Sequence, residues 1–190
     1  MIFDTHAHYD SEQFDEDRET LLASMKEAGV GTIVNVAASY ESCFEVPKLA
    51  EKYPFMYAAV GVHPDEVGDL NEETFARMKE QFKLDKVVAV GEIGLDYYWH
   101  KEEAEHKQQQ EMFRAQMDIA REEKLPFMIH SRDAAEDTLE IVKEYMKKDM
   151  SGGIIHCFSY SKEIAAEYLK MGLYLGIGGV LTFKNAKKLK

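Results

Sequence analysis

The chain alternates short apolar runs with longer stretches in which apolar residues recur every three or four positions. Thr32-Ile33-Val34-Asn35-Val36 is β-branched and reads as a buried strand. Phe55 to Val60, Lys86 to Glu92, Pro126 to His130, Gly153 to His156 and Leu173 to Ile177 read the same way, and the short run Ile2-Phe3 opens the series. Helical patterns fall between them. Asp15 to Ala28 has acids in its first turn, Leu21, Leu22, Met25 and Ala28 as its apolar positions, and Gly29 as a stop. Ser39 is placed to cap a helix carrying Phe44, Leu49 and Ala50, which ends before Pro54. Asn71 opens a helix with Phe75, Met78 and Phe82 on one side. Glu102 to Lys124 is long and polar, with Phe113, Met117 and Ala120 inward. Asp133 is placed to cap a helix through Leu139, Val142 and Met146, and Ser161 one with Ile164, Ala165, Tyr168 and Leu169. A basic tail runs from Lys184 to Lys190.

Strand then helix, repeated about every 25 to 35 residues, predicts an α/β fold with a parallel sheet and helical crossovers. About seven such strands favour a TIM (β/α)8-type barrel over an open doubly wound sheet. No linker, internal repeat or low-complexity segment divides the sequence, so residues 1–190 read as one barrel domain. The polar residues decide between the two architectures. His6 and His8, His63, Glu92, His130 and His156 each close an apolar run. Barrels carry their chemistry at the C-terminal ends of many strands, whereas open sheets gather it at one crevice.

Those strand ends also suggest the chemistry. His6 and His8 are two residues apart, so on a strand both imidazoles share a face and suit a divalent metal. Glu92 closes a fully apolar strand, where a carboxylate is costly to bury without a cation. With His130 and His156 the set exceeds what one ion needs; five ligands with a bridging carboxylate suit two cations about 3.5–4 Å apart. Imidazole and carboxylate donors accept Mg²⁺, Mn²⁺ or Zn²⁺. His63 adds one ligand too many and is read as a substrate contact. Arg132 reads either as an anion clamp or as an ion-pair partner of Asp133 or Asp137. Asp96-Tyr97-Tyr98-Trp99 reads either as an aromatic lip on which a base stacks or as loop packing. His100 and His106, in a charged segment, are expected to face solvent.

Composition narrows the setting. The chain is 45% hydrophobic and 31% charged, enough for a folded core. No apolar run approaches the roughly 18 residues of a membrane span. Cys43 and Cys157 lie far apart without a CxxC spacing and read as reduced thiols. With the histidine motif so early that no leader is expected before it, the expected location is the cytoplasm. The formal charge of −12 argues against a broad basic surface, so a nucleic-acid substrate must be met by local cations or bound metal.

Asp4-Thr5-His6-Ala7-His8, Gly61-Val62-His63-Pro64, Gly91-Glu92-Ile93-Gly94-Leu95-Asp96-Tyr97, His130-Ser131-Arg132 and His156-Cys157-Phe158-Ser159 resemble, in order, the motifs of the TatD family of metal-dependent deoxyribonucleases. The resemblance implies a TIM barrel, a two-metal site and phosphodiester hydrolysis of DNA. It implies that His6 and His8 hold one metal, Glu92 bridges as the catalytic carboxylate, and His130 and His156 hold the second, with His63 and Arg132 facing substrate. An amidohydrolase or phosphoesterase acting on a small molecule would use the same ligands, and a non-enzymatic truncated paralogue is the reading from another class. The family carries Glu-Thr-Asp-x-Pro on its eighth strand, and nothing after Ile177 matches it. The expectation is therefore a barrel lacking that strand and its Asp ligand, which self-associates at its open edges or works with reduced activity.

Overall fold

In the computed structural model residues 1–186 are described; residues 187–190, the end of the basic tail, lie outside the described residues. Seven strands, β1 (Ile2–Ala7), β2 (Val30–Val36), β3 (Met56–Val60), β4 (Val87–Asp96), β5 (Phe127–Arg132), β6 (Gly153–Ile155) and β7 (Tyr174–Leu175), form one sheet in sequence order. Every neighbouring pair is parallel. The crossovers carry α1 (Arg18–Ser24), α2 (Ser42–Lys52), α3 (Glu72–Lys79), α4 (Glu103–Glu122), α5 (Ala135–Tyr145) and α6 (Lys162–Lys170). The predicted α/β barrel architecture is thus present as seven parallel strands with helices between them.

The sheet curls, and a pair of side chains measures how far. Flat, it would hold its first and sixth strands roughly 24 Å apart, at about 4.8 Å per strand. Yet the ring of His6 on β1 stacks on that of His156, just beyond β6, with centroids 3.4 Å apart. β1 and β7 remain the two edges of the sheet among the described residues.

Strand alternation then sorts residues onto two faces. The convex face packs under the helices, where Ile33, Met56, Phe127 and Ile129 meet Leu22, Met78, Phe113, Met117 and Tyr168, all fully buried. The concave face holds a smaller cluster, Val34, Val36, Ala59, Ala89 and Met128. Continuing two residues along the concave rows, Met128 leads to His130 and Ile154 to His156, so the period of two carries the apolar lining directly into the polar strand ends.

Local departures from the sequence reading have identifiable causes. α1 is shorter than Asp15–Ala28, because a 3-10 turn at Glu12–Phe14 precedes it and turns that reach Gly29, at φ +81, follow Ser24. Asp133 does not cap α5: it sits at φ +53, and Ala134 holds the cap position. The seventh strand is two residues rather than Leu173–Ile177, since the three-residue β6 offers it only Ile154 and Ile155. β4 runs past Glu92 to Asp96. Asn71 does cap α3, accepting from the N–H groups of Glu73 (3.0 Å) and Thr74 (3.1 Å), and Ser161 caps α6. Among the described residues, no helix is long and apolar enough to cross a membrane.

Candidate metal centre

The C-terminal ends of the strands surround a cavity of about 990 Å³ whose walls include His6, His8, His63, Glu92, His130, Arg132 and His156. All seven sequence-derived site residues therefore face one space. Glu92 lies at its buried floor with imidazoles at both oxygens: Oε2 is 3.2 Å from His6 Nε2 and 3.7 Å from His8 Nε2, and Oε1 is 3.1 Å from His130 Nδ1.

Hydrogen bonds at the far side of each ring fix which nitrogen faces Glu92 unprotonated. His8 Nδ1 is 2.8 Å from the Val36 carbonyl, which can only accept, so Nδ1 carries the proton. His6 Nδ1 lies 2.7 Å from the Met128 sulfur, also an acceptor. In their neutral forms both rings thus turn a bare Nε2 to the same point, 2.9 Å apart, beside a carboxylate oxygen. Three lone pairs converge with no donor among them. That arrangement is unfavourable for the protein alone and suits a divalent cation, so the donor set fits a metal.

His130 is held differently. Its Nε2 lies 3.0 Å from Asp96 Oδ2 while Nδ1 meets Glu92, so it sits between two carboxylates. Burial alone would lower its pKa; Asp96 and Glu92 outweigh it and raise it to about 9. Burial raises the Glu92 carboxyl, but the His130 and His6 imidazoles beside its two oxygens hold it well below its usual range. Burial, reinforced by the nearby His6, pushes His156 down to about 4, so that ring is neutral and available as a donor set member or acceptor at ordinary pH. Burial and then the neighbouring His130 also lower His63.

Three groups of ligand atoms lie within 4.8 Å of one another among the described residues: His6, His8 and Glu92; His63, Glu92 and His130; and His63, Asp65 and Asp96. His156 is in none of them, its ring being stacked on His6. His63 Nδ1 accepts the Asp65 N–H at 3.3 Å, capping the 3-10 turn at Pro64–Asp69.

Several partners were invisible in the sequence. In the sequence Asp96 reads as part of a lip, yet its carboxylate reaches both ways, with Oδ2 on His130 and Oδ1 accepting from the N–H groups of Tyr98 (2.8 Å) and Trp99 (3.3 Å). Two glutamines on the buried side of α4 hold strand-end backbone: Gln109 pairs with the N–H and C=O of Asp96, and Gln116 with those of Val62. Gly94 lets β4 approach β5 closely; it sits at φ +145, and a side chain there would collide with the His130 carbonyl. His100 and His106 are not simply solvent-facing. His100 bridges Asp65 (3.1 Å) and Glu105 (3.2 Å), and His106 stacks on Tyr97 with centroids 3.6 Å apart. Arg132 makes no ion pair among the described residues; its guanidinium lies over the Tyr98 ring, 4.0 Å from the centroid. Cys43 and Cys157 are free thiols, as expected.

Comparison with known proteins follows the same lines. A family model described as TatD related DNase matches residues 3–190. An uncharacterized metal-dependent hydrolase of Bacillus subtilis, YabD, is 46% identical over 190 residues, covering 100% of this chain and 73% of its own length. A protein of Rahnella sp. named 3'-5' ssDNA/RNA exonuclease TatD is 33% identical over 179 residues, 94% of this chain and 67% of its own. The crystal structure of YJJV, a TATD homolog from Escherichia coli, superposes with a TM-score of 0.89 at 32% identity, covering 99% of this chain and 72% of that one.

Proposed function

This chain belongs to the TatD family of metal-dependent hydrolases, and from that premise we propose that it hydrolyses phosphodiester bonds of DNA at a site holding two divalent cations. The observation that carries the reading is the Glu92 carboxylate, whose two oxygens face different histidines: His6 and His8 on Oε2, His130 on Oε1. A carboxylate so divided suits a bridge between two cations. On this reading His6, His8 and Glu92 would hold the first, and Glu92 and His130 would hold the second, with the neutral His156 as a further donor beside them. Mg²⁺, Mn²⁺ or Zn²⁺ bound there supplies an acidified water and neutralises phosphate charge, which an acidic protein needs against an anionic substrate.

The chain's own residues do the rest. Val36 and Met128 keep the Nε2 atoms of His8 and His6 aimed at Glu92. Asp96 accepts from His130 Nε2, leaving its Nδ1 toward Glu92. His63, its Nδ1 engaged by Asp65, carries its proton on Nε2 when neutral and can donate to a phosphate oxygen. Arg132, on the cavity wall, supplies the fixed positive charge. The name of the Rahnella relative supports a nucleic-acid substrate.

The test is cleavage of an end-labelled single-stranded oligonucleotide in Mg²⁺, Mn²⁺ and Zn²⁺, with a panel of small esters and amides alongside. Release of nucleotides, abolished by EDTA, is expected. Turnover of small esters or amides with intact DNA in every cation would replace this reading with that of a small-molecule hydrolase.

A further inference from the structure

Beyond the ligand cluster, the edge of the site carries an arrangement that the metal chemistry does not use. Tyr98 and Trp99 follow the end of β4 and are 42% and 64% exposed. Their rings meet edge to face, with centroids 4.6 Å apart. The Arg132 guanidinium lies 4.0 Å from the Tyr98 centroid and 5.5 Å from that of Trp99, and the Lys101 ammonium lies 5.4 Å from the Tyr98 centroid. Two cations thus flank two exposed aromatic rings on a protein whose net charge is −12.

Simple packing does not account for this group. A tryptophan packed for stability would be buried, and this one leaves most of its surface in water. The group is also tied to the site at two points. Arg132 lines the same cavity as Glu92 and His130. Asp96 accepts from the Tyr98 and Trp99 N–H groups through one oxygen while its other oxygen meets His130. The lip is therefore built onto a histidine of the proposed metal site.

We infer that the exposed ring of Trp99, braced edge to face by Tyr98, is a stacking platform for an unpaired nucleobase, with Arg132 and Lys101 taking the phosphates on either side of it. This rests on the nuclease reading and narrows it: a base held in a duplex cannot offer its face, so the platform selects single-stranded or frayed ends. Stacking is tolerant of sequence, because every base has a π-face, and flanking cations read the backbone rather than the base. The platform thus predicts preference for unpaired over paired strands, with little preference among bases.

The chain contains one tryptophan, Trp99, so its emission reports on the platform alone. The experiment titrates the protein, in EDTA so that no strand is cut, with hexathymidylate and with an abasic hexamer of the same phosphate backbone. The expected result is saturable quenching by hexathymidylate at a concentration about tenfold lower than that needed by the abasic hexamer, the scale of one stacked base. Arg132→Gln should weaken both oligomers alike. In Mn²⁺, Trp99→Ala should raise the KM for a single strand by about tenfold, and Trp99→Phe should recover much of it. Equal responses to the two oligomers, or no change in emission on adding either, overturns the platform. The two readings fail separately. DNA cut normally with silent emission removes the platform and leaves the nuclease; quenching by hexathymidylate with no strand cut in any cation removes the nuclease and leaves a single-strand binding site.

Discussion

The concave face of the sheet has two ends of nearly equal size that differ in the groups they present. At the C-terminal ends of the strands the cavity is about 990 Å³, and its walls carry five imidazoles, a carboxylate and a guanidinium beside apolar residues such as Phe14 and Leu21. At the other end a space of about 920 Å³ is lined by Ile2, Phe3, Val34, Val88, Met128 and Tyr174, among others. The same strands supply both. The concave rows are apolar where they begin and polar where they finish: Met128 precedes His130 and Ile154 precedes His156 by one period. The difference teaches that packing and chemistry are divided along each strand rather than between strands. One half of each strand anchors the sheet, and this leaves the other half free to present ligands. The two halves meet where His6 Nδ1 touches the Met128 sulfur.

The strongest way to break that division is at its polar end. Glu92→Ala should lower oligonucleotide cleavage by about a thousandfold, beyond the 10–100-fold typical of groups that only orient metal ligands. Mn²⁺ binding by calorimetry should weaken in parallel. A fully metallated and active Glu92→Ala protein would remove the bridging role. Met128→Ala tests the contact between the halves. It opens a cavity in the buried concave cluster and should cost about 2–5 kcal/mol in denaturant unfolding. Because His6 Nδ1 also loses its partner, Mn²⁺ affinity should fall as well, whereas Val34→Ala should lower stability with affinity unchanged. Equal affinities in the two variants would show that the apolar end does not position His6.

A smaller effect sharpens the comparison without mutation. If the converging lone pairs at Glu92 fit a cation, Mn²⁺ at a hundred times its Kd should stabilise the fold by about 2.7 kcal/mol. For a chain of this length that corresponds to roughly 5–10 °C in Tm. Scanning calorimetry with Mn²⁺ against EDTA measures it, and an unchanged Tm would mean that the site holds no ion.

The same division explains what could be read in advance. The strands were legible because β-branched runs are their own signal, and the ligand positions because a polar residue closing such a run stands out. What escaped were contacts between segments distant in sequence. Asp96 looks like loop until the close approach permitted by Gly94 carries β4 onward beside His130. Gln109 and Gln116 look like polar helix surface, and are buried because the strand ends they face have unpaired N–H and C=O groups. His100 has a visible neighbour in Glu105, but its other partner, Asp65, arrives from another crossover. Asp133 satisfied the composition of a helix cap and lacked the geometry, since a cap residue takes extended backbone and this one is left-handed. The lip reads equally as a stacking surface or as loop packing in the sequence, because exposure, which separates the two, is not written there.

The smallest expected effect lies at the edges of the apolar end. β1 and β7 each present one unpaired side of backbone among the described residues, and beside them Phe3 is 61% and Tyr174 76% exposed. Edge strands with exposed apolar side chains pair with other chains unless charges prevent it. Phe3→Lys with Tyr174→Lys removes exposed area that contributes almost nothing to folding, so unfolding free energy should stay within about 0.5 kcal/mol. Mn²⁺ affinity should also be unchanged, because neither residue lines the polar cavity. What should change is association: sedimentation of the parent chain is expected to depend on concentration, and that of the double variant is not. A parent chain that sediments as a monomer at every concentration would show that the curled sheet protects these edges itself. The exposed apolar side chains would then belong to the ordinary surface, and the contrast between the two ends would concern chemistry alone.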